Sequence, residues 1–537
     1  MKLDKKDRRY ILENIKHLSV SDIAKNLSLD QKVINEFLES KGIKTKAAAS
    51  EETPSFWNKK ILVIIPILLV FLVYFNSIKG DFVWDDQTIV LRNEAVKSFK
   101  HIPYVFKNEF AEKAGYNGNI YRPMQEISYM VDYWLWGTNP KGFHFTNVLL
   151  QAACAASLFF LIRIISSSGA LALITSVIFG IHPINTEAIA YVSGRSDPLY
   201  FLFLLLSFIC FVKYINSESI KKALFYITSL ILYAAALSSR ETAIVFPILL
   251  IAYGRFLSKE KRVNWTALIP FIAILGSYAF LRLKVIDLDR GSISFFGINA
   301  VIFTDAKIIF KYFTLMLFPF NLHMTRAMPL SHAPDLEVFL GCVIIAFLAA
   351  LSLKLKKTKP DLFFWLLWFF ILLLPHLNII GLNALYAEHW IFGASVGIYA
   401  LFAFMLKRLM ENRKTRIPAY ISCIAVVAYL SSLTMIRNND WKDEPSIYLN
   451  TLKYSRSPKV LSNFGVYYDI KGEYDKAIEV YEEALRAAPR QTWYHNNIAV
   501  VYAKKGDISN AIRHWEISLS INPNQEDIRG ELARYKK

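Results

Sequence analysis

The sequence predicts an all-α protein in which a bundle of membrane-spanning helices lies between a small helical head and a helical repeat domain. Three observations predict this fold class. The 537 residues are 54% hydrophobic and 15% aromatic but only 20% charged, which is too apolar for an ordinary soluble protein. Apolar runs of about 20 residues, the length that crosses a bilayer, recur from residue 56 onward. From about Pro458 the pattern changes to a soluble repeat.

Residues 1–55 are predicted to form a cytoplasmic helical head and a linker. The first strongly apolar run begins only near Ile61, so we expect no cleaved signal peptide. Two short helices near 18–27 and 30–41 give the head a helix-turn-helix outline. The head lacks a basic recognition face, which favours a docking module over DNA contact, and no nucleic-acid partner is expected. Lys44 to Ser55 is predicted to be the linker.

The region 56–437 is predicted to cross the membrane about eleven times. Much of the net charge of +18 falls in short basic clusters beside apolar runs, the positive-inside pattern of a polytopic membrane protein. This pattern places the amino terminus inside and the carboxyl terminus outside. The run 306–320 carries Lys307 and Lys311 one turn apart, so it is predicted to be an interfacial helix. The basic clusters are Lys59-Lys60, Lys221-Lys222, Lys259 to Arg262, Lys354 to Lys359 and Lys407 to Arg416.

Residues 438–537 are predicted to form an extracytoplasmic tetratricopeptide domain, because seven positions recur at the 34-residue period of that repeat. Two units are few for a solenoid, so flanking helices are expected within 440–457 and 525–537. The repeats could offer a concave surface to a peptide or another partner, or brace the outer loops, and both interpretations stay open. The recurring positions are Asn463, Tyr468, Gly472, Ala477, Tyr481, Leu485 and Pro489, matched by Asn497, Tyr502, Gly506, Ala511, Trp515, Leu519 and Pro523.

Ionisable residues at the outer ends of the predicted spans define the candidate site. Asp85 and Asp86 follow the first span and begin an external loop, 79–143. Charge at membrane depth is costly, so such residues are functional candidates by default. An Asp could deprotonate or orient an acceptor hydroxyl while an Arg holds a leaving phosphate. The remaining candidates are Tyr121, Arg122, His144, His182, Glu187, Arg195, Asp197, Arg240, Glu241, Glu388 and His389.

Simpler structural interpretations compete for several of these residues. His182 precedes a proline and could simply cap the end of a span. Arg240 and Glu241 could form a local ion pair. Asp85 and Asp86 could occupy a solvated turn. The functional interpretation depends on the whole set lying on one side of the bundle.

Five motifs of the chain resemble those of a known family. They are Phe82 to Asp86 followed by Asn93, Tyr121 to Pro123 with His144 to Asn147, His182 to Asp197, Ser239 to Glu241, and Ala387 to His389. Together these motifs resemble the transmembrane and tetratricopeptide-repeat O-mannosyltransferases and their bacterial relatives. The resemblance covers roughly residues 61–523.

The resemblance implies a GT-C fold with an extracytoplasmic active site, a polyprenyl- or dolichyl-phosphate sugar donor, and inversion at the anomeric carbon. Asp85 or Asp86 would be the base. Metal-independent transfer is expected, because no cluster of metal-binding acids is evident. His389 replaces an arginine of many members, and two repeats stand where eukaryotic members have long arrays. Arg195, Arg240, His182 and His389 would hold the lipid phosphate, supported by Tyr121, Arg122, His144, Glu187, Asp197, Glu241 and Glu388.

The leading functional prediction is therefore a membrane glycosyltransferase. It would move a mannose-like or other hexose from a lipid-phosphate donor to an extracytoplasmic acceptor, a protein hydroxyl or a glycan. A compact chain with two repeats favours a bacterial inner membrane. A non-catalytic scaffold working through its repeats and a transporter of lipid-linked glycans are the alternatives.

Overall fold

The computed structural model describes residues 3–15, 20–27, 29–41, 60–116, 118–218, 220–258, 264–286, 296–379 and 384–536. The predicted linker, Lys44 to Ser55, and the basic cluster Lys259 to Arg262 lie outside the described residues. Every regular element within the described ranges is a helix, which confirms the predicted all-α class. The chain divides into two compact units, residues 1–62 and residues 63–537.

The described residues of the head form three α-helices, one more than the sequence predicted. The additional helix is highly charged, and its clearest helix-forming feature is the residue that caps its start. The Asp4 side chain accepts hydrogen bonds from the backbone N–H groups of Lys6 and Asp7. Such capping satisfies donors that have no partner inside the helix. Ile11, Ile23, Ile34 and Leu38 are buried in a common core. The helices are α1 (Lys5–Asn14), α2 (Val20–Leu27) and α3 (Gln31–Ser40).

The second unit begins with the apolar bundle, whose helices are joined by short 3₁₀ segments and loops. The described part of the segment that follows the first apolar helix, which the sequence predicted to be external, contains two α-helices before α7. These elements are α4 (Ile64–Tyr74), α5 (Ile102–Val105), α6 (Pro123–Trp136), α7 (Pro140–Ser166), α8 (Gly169–Ile181), α9 (Thr186–Ala190), α10 (Ser196–Asn216), α11 (Lys221–Ser239), α12 (Phe246–Phe256), α13 (Ile269–Val285), α14 (Ile298–Leu317), α15 (Leu336–Thr358), α16 (Pro360–Leu373), α17 (Ser395–Glu411) and α18 (Arg416–Asn438).

Seven helical stretches in the described residues are long and apolar enough to cross a membrane, and an eighth is a pair bent by 51° between α8 and α9. The chain is thus a multi-pass membrane protein. The predicted eleven crossings exceed this number because some apolar runs fold into shorter pieces. The run 241–257 is one example: it divides into the 3₁₀ turn Glu241–Val245 and the 11-residue α12. The number of crossings therefore stays a prediction.

Helix α14 includes the run that the sequence placed at the interface. Both of its lysines have acidic partners near the start of α15. The Nζ atom of Lys307 lies 2.6 Å from a carboxylate oxygen of Asp335, and that of Lys311 lies 2.9 Å from Glu337. Pairing of this kind lowers the cost of holding lysine at membrane depth. The lysines alone therefore do not decide whether α14 crosses the membrane.

The repeat helices follow the last apolar helix. The two tetratricopeptide units are α20–α21 and α22–α23, and α19 and α24 flank them as the sequence predicted. Tyr481 and Ala477 of the first unit pack with Ile498 of the second, which joins the two units in one core. Their bounds are α19 (Glu444–Tyr454), α20 (Pro458–Ile470), α21 (Tyr474–Ala487), α22 (Thr492–Lys505), α23 (Ile508–Ile521) and α24 (Glu526–Tyr535).

A close approach between α16 and α17 depends on Gly397. A Cβ atom at this position would lie 2.2 Å from the carbonyl oxygen of Trp365, whereas one at Gly276 of α13 would meet no atom within 4 Å. Small residues allow apolar helices to approach in this way.

We expect Gly397→Ala to separate α16 from α17 and lower the stability of the bundle by about 1–3 kcal/mol. The measurement is the apparent melting temperature of the protein purified in detergent. Gly276→Ala is the matched control and should melt as the wild type does. Equal melting of Gly397→Ala and the wild type would contradict the close contact.

Candidate active site

The loop that carries Asp85 and Asp86 is fixed at its start by a histidine. The imidazole Nε2 of His144, on α7, lies 3.2 Å from the carbonyl oxygen of Asp81, and its ring packs against Gly80. Trp84 has a φ of 53°, a left-handed conformation that is unusual for a bulky residue. A single π-helical turn, Gln87–Leu91, follows the two acids, and such turns are frequent at functional sites.

Asp86 is fully buried and uses both carboxylate oxygens inside the protein. One oxygen accepts hydrogen bonds from the backbone N–H and the hydroxyl of Ser193, and the other accepts from the backbone N–H of Val83. Burial raises the pKa of Asp86 to about 7, although these three bonds favour the ionised form. Asp86 therefore ties the loop to the segment around Ser193.

Asp85 has a different environment and is only half-buried. Burial raises its pKa above the ordinary value, while the positive charge of Lys459 and a hydrogen bond from the Tyr191 hydroxyl act in the opposite direction. The two adjacent acids thus differ in their availability. Asp85 keeps part of its surface exposed, whereas Asp86 is held by three hydrogen bonds.

The segment 192–197 connects this loop to the rest of the bundle. It makes a 3₁₀ turn, Val192–Arg195, before α10 begins. A Cβ atom at Gly194 would lie 2.6 Å from the carbonyl oxygen of Glu187, so only glycine allows this turn to pack on α9. The segment brings Ser193 to Asp86 and places Arg195 in the core.

Arg195 is fully buried, and its guanidinium is satisfied by the protein. It forms a 2.5 Å ion pair with Asp132 of α6 and donates to the Asn147 side chain at 2.7 Å and the Phe143 carbonyl at 2.9 Å. The Tyr129 ring lies 4.7 Å from the guanidinium carbon. With no exposed surface, Arg195 holds α6, α7 and α10 together.

A layer of ion pairs, here called the ionic layer, surrounds the start of α10. The guanidinium of Arg122 lies 2.9 Å from the carboxylate of Glu241, which also contacts Arg282 at 2.9 Å. Arg240 pairs with Asp197 at 2.5 Å. Arg122 and Arg240 both donate to the hydroxyl of Ser196, at 3.5 Å and 3.1 Å. The Arg240–Glu241 ion pair that the sequence left open is thus replaced by partners from other helices.

The ionic layer continues through two glutamates. The ring Nδ1 of His389 lies 2.8 Å from Glu187, and both residues are close enough for their charges to act on Asp197. Glu388 accepts from Arg326 at 2.6 Å and also lies 3.5 Å from Arg437. Each basic side chain of this layer therefore lies beside a buried or partly buried acid.

Two predicted site residues are used in packing. His182 bridges the bend between α8 and α9: its Nδ1 accepts from the backbone N–H of Ile184, and its Nε2 lies 3.0 Å from the carbonyl oxygen of Met316. Its ring stacks on Tyr399 at 5.2 Å. Tyr121 is buried and donates to the carbonyl oxygen of Phe106 at 3.0 Å.

Five charged residues of the site were absent from the sequence prediction, and one of them is Arg282 on the apolar helix α13. Arg437 ends the last apolar helix, so its position at a span end could have identified it. Asp132 is one of two acids on the largely apolar α6, beside Glu126, which is a weaker signal. Arg326 lies in a loop and Lys459 in the repeat domain, and neither has a local signal. In the described residues, no three His, Cys, Asp or Glu side chains converge as metal ligands would.

Fold and site together define a multi-pass membrane protein with a tetratricopeptide domain and a partly buried ionic centre. The resemblance to the transmembrane and tetratricopeptide-repeat O-mannosyltransferases is confirmed by homology. Protein O-mannosyl-transferase F38B6.6 of Caenorhabditis elegans is 25% identical over 447 residues, which cover 78% of this chain and 62% of the relative. Protein O-mannosyl-transferase TMTC4 of Mus musculus is 24% identical over 495 residues, with coverages of 80% and 66%. The chain spans less than two thirds of the length of these relatives.

Two further similarities concern the repeats and the bundle. Residues 466–506 match the family model described as TPR repeat. The oligosaccharyltransferase of Archaeoglobus fulgidus, solved with a tethered acceptor peptide, aligns with a TM-score of 0.46 and 11% identity. The alignment covers 79% of this chain and 59% of that one.

The Arg195–Asp132 pair gives a test of the site's architecture. Arg195→Leu leaves the buried carboxylate of Asp132 without its cation, which should cost about 3–5 kcal/mol of stability. We expect a lower melting temperature in detergent, and a smaller loss in the Arg195→Leu/Asp132→Leu double variant, which removes both charges. Replacement of the exposed Arg92 by leucine is the control. If the stability lost in the double variant equals the sum of the losses in Arg195→Leu and Asp132→Leu, the two residues are not coupled.

Proposed function

We propose that this protein is a membrane glycosyltransferase that moves a sugar from a polyprenyl- or dolichyl-phosphate donor to a hydroxyl group. One observation carries the proposal: the half-buried carboxylate of Asp85 lies beside Asp86, whose oxygens already accept three hydrogen bonds. Two of these bonds come from Ser193, in the segment 192–197 that leads into the ionic layer. Homology to O-mannosyltransferases supports the same reaction class. The proposed sugar is mannose or another hexose, and the proposed acceptor is a protein hydroxyl.

Asp85 is the proposed general base. The acceptor oxygen attacks the anomeric carbon of the sugar while its proton passes to the Asp85 carboxylate, and the bond from that carbon to the lipid phosphate breaks. Attack opposite the leaving phosphate inverts the anomeric centre. Asp86 serves to fix the loop, since its own oxygens already accept three hydrogen bonds.

The ionic layer is the proposed site for the leaving phosphate. Arginine forks bind phosphate oxygens well and keep their charge at any working pH. Arg240 is oriented by Asp197 and Ser196, and the partly exposed Arg122 and His389 lie in the same layer. The guanidinium groups of Arg240 and Arg122 would stabilise the charge that develops on the phosphate, so we propose a metal-independent reaction. Arg195 and His182 are assigned to positioning, because their side chains are used inside the protein.

The proposed setting is a bacterial inner membrane, with the head in the cytoplasm and the repeats outside. The positive-inside distribution of basic clusters supports this orientation. The Asp85 loop, the ionic layer and the repeats then share the extracytoplasmic side, where a lipid-linked donor and a protein acceptor can meet.

Asp85→Asn tests the base assignment. Loss of a positioned base should reduce transfer by roughly 10²- to 10⁴-fold, while the melting temperature stays close to that of the wild type. The measurement is sugar transfer from a panel of polyprenyl-phosphate sugars to membrane acceptors. Because burial raises the pKa of Asp85, wild-type transfer should also fall as the pH drops through that raised value and the carboxylate is protonated.

Asp81→Asn is the matched control, because Asp81 is exposed in the same loop, and it should transfer as the wild type does. If Asp85→Asn transfers sugar at the wild-type rate, Asp85 is not the general base. Absence of transfer from every donor by well-folded wild type would favour the scaffold alternative.

Arg240→Ala tests the phosphate site. Loss of a charged hydrogen-bonding group is worth about 1.5–3 kcal/mol, roughly ten- to hundredfold. We expect this loss mainly in the donor KM, with a smaller change in the acceptor KM. Steady-state kinetics with each substrate varied in turn separates the two. Arg255→Ala, an exposed arginine on α12, is the control. An unchanged donor KM in Arg240→Ala would argue against phosphate binding by Arg240.

A further inference from the structure

The first repeat helices lie directly on the loop that carries Asp85. Val83 of the loop shares a buried cluster with Val460 and Phe464 of α20. The Trp84 ring lies 5.8 Å from the Tyr448 ring of α19. The repeat domain therefore forms one wall of the region around the proposed base.

Lys459 occupies the first turn of α20 and reaches the same loop. Its Nζ atom lies 5.6 Å from the centroid of the Trp84 ring, a distance at which a cation is attracted by the aromatic face. Trp84 immediately precedes Asp85 and has the left-handed φ of 53°. A bulky residue keeps such a conformation only where its surroundings enforce it. Tyr448 and Lys459 hold its ring from the repeat side.

Lys459 also acts on Asp85 by its charge. It favours the ionised carboxylate and partly offsets the effect of burial, which raises the pKa of Asp85. The hydroxyl of Tyr191 adds a hydrogen bond from the bundle side. The titratable groups that face Asp85 from the packed elements are Asp86, Tyr116, Tyr191, Tyr448 and Lys459. Lys459 is the cation of this set.

We propose that Lys459 is a positioning residue for the transfer reaction, so that the repeat domain completes the catalytic centre. The inference rests on the proposed function, since it assigns Lys459 a role through Asp85. Lys459 packs on Trp84 at the turn and favours the ionised form of the Asp85 carboxylate, the form that can abstract a proton. This role is separate from any binding of the acceptor by the concave face of the repeats.

The test compares Lys459→Met with Lys459→Arg in the full-length protein. Lys459→Met removes the charge but keeps an unbranched chain, and transfer should fall roughly ten- to hundredfold. The acidic limb of the kcat/KM pH profile should move to higher pH, because the carboxylate then holds its proton more tightly. Lys459→Arg should restore both the rate and the profile. A merely structural role would not move the pH profile.

Lys471→Met is the matched control. Lys471 lies at the other end of α20, and its Nζ atom is 5.8 Å from the Tyr467 ring, so the same kind of contact is lost away from Asp85. Its rate and pH profile should stay those of the wild type. A wild-type pH profile in Lys459→Met, or equal losses in Lys459→Met and Lys459→Arg, would overturn the proposal.

Two measurements separate failure of this inference from failure of the proposed function. If the wild type transfers sugar and Asp85→Asn does not, the pH profile of Lys459→Met tests the role of Lys459. If the wild type transfers nothing, or Asp85→Asn transfers fully, the base assignment fails. The role of Lys459 is then tested by hydrogen exchange of residues 82–91. Faster exchange in Lys459→Met but not in Lys459→Arg supports positioning of the loop by Lys459, and unchanged exchange overturns it.

Discussion

The site depends on one buried interaction, the ion pair between Arg195 and Asp132. Removal of a guanidinium from water is costly unless its donors are satisfied, and here an acid, an amide oxygen and a backbone carbonyl provide that satisfaction. The pair fixes the start of α10. Ser193 and Ser196, two residues before and one residue after Arg195, can then reach Asp86 and the ionic layer. One short segment thereby sets the distance between the proposed base and the proposed phosphate site.

The two adjacent acids illustrate how the fold differentiates identical side chains. Neighbouring residues in a turn point in different directions, so Asp86 enters the core and Asp85 remains half-exposed. The buried acid gains three donors and becomes part of the structure. The half-buried acid is influenced by the charge of one lysine and by a hydrogen bond from one tyrosine hydroxyl.

Much of the fold and part of the site could be predicted from the sequence. Apolar run length and the 34-residue period are local signals, so the all-α class, the repeats and their flanking helices were predictable. Span-end polarity selected Asp85, Arg240 and Glu388 as candidates, and their role stays a prediction. The pairing of these residues was not predictable: Arg240 meets Asp197 instead of its neighbour Glu241, because helix ends from distant parts of the chain converge. Arg326 and Lys459 lack any local signal, since their importance arises only from tertiary contacts.

The anchoring of α19 and α20 on the Asp85 loop has a consequence for the modularity of the repeats. A repeat array is often treated as an independent recognition arm that can be shortened, exchanged or lengthened at will. Here the first unit packs against the loop that carries Asp85, so it is part of the structure around that loop and is not an independent arm. A deletion that removes the whole array would therefore also remove the packing of α19 and α20 on the Asp85 loop, whereas a change confined to the helices after α21 leaves that packing intact.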